Sequence, residues 1–199
     1  MNSEDTPTDD ATLAQLYDLL SGALADPPEE STVERLAAGP LPDPELAPND
    51  QLQSGLERLG EWGESVSDPA AEADRLAVEF TRLFVGPRPK LQIHESYYAG
   101  EYLGEPLAAV TETYKQLGIA PAPDLKEEAD HAAVELAALR ELTAESETRK
   151  QAFLESHGDW FADLGEDIRE ATEEPYFEAI AEMVSGLVAF DADRQGVRQ

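Results

Sequence analysis

Histidine is scarce in this chain, and two of its three copies stand among other residues able to do chemistry. His131 closes the string Glu128-Ala129-Asp130-His131. A Glu-x-x-His pair on a helix is one half of a carboxylate-bridged di-metal site, which needs a second copy on another helix. No second copy is present, so a helical metal-dependent enzyme stands only as an alternative reading. His94 lies in a second rich stretch, Arg88 to Tyr98, which also carries Lys90, Glu95, Ser96, Tyr97 and Tyr98. That mixture of cations, acid and aromatics suits the rim of a peptide groove better than a reaction centre. No phosphate loop, dinucleotide fingerprint or serine elbow occurs. With no cysteine, thiolate chemistry and disulfides are excluded.

Helices must position these residues. Asp68 can cap, and Pro69 open, a helix on which Leu76, Phe80, Leu83 and Phe84 share one face. Gly86-Pro87 ends it and leads into the rich loop. That face is either core or the apolar wall of a groove. Asp124 is placed to cap a long helix carrying Asp130-His131 in its first turns, with His131 and Glu135 one turn apart. The same 3.6-residue period marks helices from Asp10, from Ser31, around Leu52 to Trp62, from Gly104 to a Gly118 cap, around Trp160 to Ile168, and from Pro175. The charged run Glu141 to Lys150 reads as a turn within helical structure. No alternating strand pattern or internal repeat is found. The expectation is an all-α single domain of about eight or nine helices over residues 10–191, with a disordered tail at 1–9 and a polar tail at 192–199. The longest irregular stretches should be Pro40 to Pro48 and Gly86 to Ser96.

Fourteen basic residues against 43 acidic ones leave a net charge of −29. Nucleic acid and anionic membranes are poor partners for such a surface. No apolar run reaches the roughly 20 residues that span a bilayer. The acidic opening MNSEDTPTDD reads as neither a signal nor a transit peptide, and the expected location is cytoplasmic. Acid is spread along the whole chain, as on proteins adapted to molar salt. Self-repulsion should then limit stability in dilute buffer. The melting temperature should climb steadily from dilute buffer to molar potassium chloride, whereas a flat profile would assign the charge to partner binding.

Taken in order, Phe80-Thr81-Arg82-Leu83-Phe84 with Gly86-Pro87, Glu95-Ser96-Tyr97-Tyr98, Glu105-Pro106, Tyr114 with Gly118, and Asp130-His131 with Glu135-Leu136 resemble the TorD/DmsD/NarJ family. The resemblance runs from about Asp10 to Asp191 and is densest between Leu76 and Leu139. It departs at Ala129 and at Ile93-His94, where relatives often carry proline. The resemblance implies an all-helical cytoplasmic chaperone without a cofactor of its own, and a binding protein rather than an enzyme. Its partner would be the twin-arginine signal peptide, or a related N-terminal segment, of an apo molybdopterin-dependent oxidoreductase catalytic subunit. By the same resemblance the peptide site would include Phe80, Leu83, Phe84, Pro87, Glu95, Ser96, Tyr97, Asp130 and His131. Monomer and dimer are both open, and a scaffolding helical domain is the remaining alternative.

Overall fold

The computed structural model describes residues 9–86, 89–100, 104–120, 127–194 and 196. It is all-α: α1 (Asp10–Ala25), α2 (Glu30–Ala38), a 3-10 turn (Pro44–Leu46), α3 (Asp50–Ser65), α4 (Pro69–Phe84), α5 (Glu95–Tyr98), α6 (Glu105–Leu117), α7 (Ala132–Glu145), α8 (Glu147–His157), α9 (Trp160–Ala171) and α10 (Pro175–Arg194). Among the described residues there is no strand, only one isolated antiparallel bridge between His94 and His131. No described helix is long and apolar enough to cross a membrane.

Local chemistry sets the boundaries. Asp9, Asn49, Asp68 and Ser146 each accept an amide N–H of the helix they precede, which satisfies a donor the helix itself cannot. Gly118 ends α6 in the left-handed conformation at φ 68°. Ser146 both closes α7 and caps α8, so the charged run is two helices meeting at one residue. Ser31 is no cap: it lies inside α2, which begins at Glu30. The polar tail expected from residue 192 is still helix as far as Arg194, whose guanidinium meets Asp10 at 2.9 Å.

The core is built around α10. Its buried face includes Tyr176, Phe177, Ile180, Met183, Val184, Leu187 and Val188. Helices α3 and α9 lie against it, and α1 packs on α7. The close approach of α3 depends on glycine. A Cβ at Gly55 would fall 2.5 Å from Met183 Cγ, and one at Gly186 would fall 2.5 Å from the Leu52 nitrogen. Gly55, which weakens α3 as an isolated helix, is therefore one of the two glycines that let it seat on α10, Gly186 of α10 being the other.

One ion pair is fully enclosed in this core. Lys150 Nζ of α8 lies 3.0 Å from Asp191 Oδ1 of α10, with 1% and 0% of the two side chains exposed. Tyr17 of α1 donates its hydroxyl to the other oxygen of Asp191 at 2.9 Å. Three helices are tied together at one carboxylate.

Candidate functional site

The rich loop and the Asp-His pair meet, but not on a helix face. Asp124, the expected cap, lies outside the described residues. The described residues 127–131 form turns, and α7 begins only at Ala132. His131 is its cap, its Nδ1 accepting the Ala133 N–H at 3.1 Å. Asp130 is wholly buried rather than solvated. Its carbonyl accepts the Glu95 N–H at 2.9 Å, and its Oδ2 accepts the Ser96 N–H at 3.2 Å. Ala132 in turn donates to the Ile93 carbonyl at 2.9 Å. Residues 93–96 are thus clasped to 130–132, and Asp130 serves as the cap that α5 lacks in its own sequence. The Glu128–His131 pair sits in this turn, not on the helical i, i+3 ladder a di-metal site uses.

Behind the clasp lies a buried polar cluster. Glu135, read from spacing as the partner of His131, faces inward and accepts the Trp160 indole N–H at 3.0 Å. Burial first, then the neighbouring charge of Glu95, pushes its carboxyl well above the usual carboxylate range. Glu95 acts on it by charge and by side-chain hydrogen bonding, both of which favour the protonated form. Glu95 also lies 2.9 Å from His157 Nδ1, and His157 Nε2 lies 2.9 Å from Thr113 Oγ1. An imidazole donating from Nδ1 leaves Nε2 free to accept the threonine proton. Burial and the nearby His94 push His131 down to about 4, so it is neutral at physiological pH. The cluster joins α5, α6, α7, α8 and α9. Neither His157 nor Thr113 belongs to a motif. The signal for His157 is its register on the buried stripe of α8.

The other expected site residues divide. Phe80 and Leu83 are core, at 3% and 0% exposure. The aromatic wall is a packing contact: Phe80, Phe84 and Phe177 form a triangle with ring centroids 5.1, 5.9 and 6.4 Å apart. Phe84 is half-buried at its edge. Pro87 lies outside the described residues. Ser96 is buried, whereas Tyr97 is 52% exposed on the outer face of α5. Beside it the Tyr98 ring lies over Trp160, and its hydroxyl donates to Asp167 at 3.0 Å.

A groove opens on the other side of the clasp. Its volume is about 680 Å³, and it runs between α1, α6 and α7, floored by Ala129, Ala133 and Ala137. Tyr114 closes one wall, held by its hydroxyl bond to the Ala129 carbonyl at 3.0 Å. Neither Phe80, Leu83 nor Phe84 lines it.

A family model described as nitrate reductase delta subunit matches residues 49–182, from the start of α3 into α10. The chain belongs to this family. The nitrate reductase delta subunit family is of the NarJ/TorD type, redox-enzyme maturation chaperones that act on molybdoenzyme catalytic subunits. No curated protein matches the chain. The matched segment contains the whole polar cluster, both sides of the clasp and the α6 and α7 walls of the groove.

Proposed function

We propose that this family member is a cytoplasmic chaperone that binds the twin-arginine signal peptide, or the equivalent N-terminal segment, of an apo molybdopterin-dependent oxidoreductase catalytic subunit. It holds that segment until the cofactor is inserted. The observation that carries the reading is the family match across α3 to α10. The chemistry of the surface supports it. A leader with arginines ahead of an apolar run calls for carboxylates beside an apolar recess. The clasp, with exposed Tyr97 on its outer face, lies next to an alanine-floored groove lined by Glu127 and Glu141. Asp130 acts there by shaping the backbone, since its side chain is buried.

The test is capture of the full chain from its own cells in molar salt. The expected result is a molybdoenzyme catalytic subunit co-purifying with its N-terminal segment intact, and loss of that complex when the segment is deleted. Recovery of other proteins only, with undiminished molybdoenzyme activity in cells lacking the chain, would overturn the proposal.

A further inference from the structure

The face of α4 turned away from the core is patterned to meet a copy of itself. Leu76, Phe80 and Leu83 are buried, whereas Ala71, Asp74, Val78, Arg82 and Val85 are exposed. At about 100° per residue, these five lie within about 40° of a line through Val78. Val78 is 72% exposed and Val85 51%, so the stripe presents apolar surface at its middle and at its C-terminal end. Arg75 beside it is already committed to Glu72 and Glu174.

The exposed acid and the exposed base of the stripe stand on opposite sides of Val78. Arg82 binds Glu79 and the Ala171 carbonyl through Nε and Nη2, and its Nη1 remains to donate. Lys90 reaches the same carbonyl at 3.0 Å. Glu170 and Glu173 flank Ala171 in sequence and are exposed too, so the direct reach of Arg82 counts here, not the field of the region. In molar salt the Debye length is about 3 Å, and contacts rather than fields decide.

The spacing is symmetric about Val78. Asp74 and Arg82 stand one turn to either side of it, and Ala71 and Val85 two turns. An antiparallel second copy sets Val78 on Val78, Asp74 on Arg82 and Ala71 on Val85. Every contact off the axis then occurs twice, as a two-fold interface requires. A guanidinium on a carboxylate at contact distance keeps its hydrogen bonds in salt. One helix pair is at the small end of specific interfaces, which makes the association reversible.

We infer that α4 is a self-association surface, through which two copies of this chain pair antiparallel about a two-fold axis at Val78. The pairing uses no residue of the groove or of the clasp, and it holds whatever the client.

The chain has no cysteine, so introduced thiols can read the register. In molar potassium chloride under mild oxidation, Val78→Cys should form a disulfide-linked dimer faster than Leu46→Cys, an exposed position outside α4. Ala71→Cys and Val85→Cys should each stay monomeric alone, because the two copies of either thiol lie about 21 Å apart. Mixed, they should cross-link to each other. Sedimentation equilibrium of the unaltered chain at about 100 μM should show dimer increasing from dilute buffer to molar salt, as repulsion between two chains of net charge −29 is screened. Val78→Lys sets two ammonium groups face to face and should weaken the dimer at least about tenfold while its melting curve holds. Monomer at every salt concentration overturns the inference. So does a dimer that Val78→Lys leaves unchanged, or Ala71→Cys and Val85→Cys each linking to itself rather than to the other.

Discussion

Replacing Lys150 by alanine should destabilise the fold by about 3–5 kcal/mol, the usual cost of stripping one partner from an enclosed ion pair. The Asp191 carboxylate would remain in a site with no exposure, keeping the Tyr17 hydroxyl at 2.9 Å and the Arg194 Nε at 3.6 Å. Neither restores what the ammonium at 3.0 Å supplied. Buried charges are screened little by salt, so molar potassium chloride should not rescue the variant, even where it relieves repulsion among the surface carboxylates. Melting should fall by about 10 °C. The pair itself is not the source of stability, because its desolvation offsets much of its attraction. The double variant Lys150→Met, Asp191→Asn keeps an acceptor for Tyr17 and removes both charges, so it should recover most of the loss. Urea unfolding of the three proteins at one molar-range salt concentration measures this. A loss under about 1 kcal/mol in Lys150→Ala would mean that water reaches Asp191.

Lys150 also illustrates what the sequence hid. The helices of the core were legible because apolar residues recur at the helical period, and the caps at Asp68 and Gly118 sit where local chemistry alone requires them. A lysine inside a charged run carries no local sign of burial. It is marked only by its register with Phe153, Leu154 and His157 on α8. The aromatic stripe of α4 was ambiguous for a related reason: periodicity reveals that a face is apolar, not what covers it. Phe177 of α10 covers it, a contact across more than 90 residues. Asp130 misled in the opposite direction. Its spacing suits a solvated helix face, but the helix starts at Ala132, and the residue is turned inward to cap α5 from 34 positions away. A cap supplied by a distant segment has no sequence signature. The same holds for the α1–α6–α7 groove, whose alanines look like ordinary helix formers until three separate helices converge around them.

The buried acid at Glu135 should make stability fall with rising pH, opposite to the usual behaviour of a salt-bridged carboxylate. Unfolded, the side chain titrates near 4.5; folded, burial and the charges of Glu95 and Asp130 raise it well above that. Above pH 4.5 the folded state therefore holds a proton the unfolded state has released. Stability drops through this window at up to about 1.4 kcal/mol per pH unit until the folded acid ionises. His131 acts in the other direction. Its value falls from 6.5 to about 4, so its contribution is lost as pH drops through that interval and is complete above it. Between 4.5 and 6.5 the two slopes oppose each other. Above 6.5 the His131 slope has ended. Glu135→Gln keeps an oxygen for the Trp160 indole and an N–H for Glu95, without a titrating proton. The other groups about the cluster, Tyr114, Asp130, Glu95 and His157, stay in place. The variant should match the wild type near pH 5, exceed it increasingly as pH is raised toward 8 for as long as the folded acid stays protonated, and bring residues 93–98 with it, since Glu95 is the link between the cluster and α5. Urea unfolding across that range gives the stability slope. Hydrogen exchange at the Glu95 and Ser96 amides, both donated to Asp130, reports the clasp directly. Parallel pH profiles for the two proteins would show that Glu135 is already ionised in the fold, and its protonation beside Glu95 would have to be abandoned.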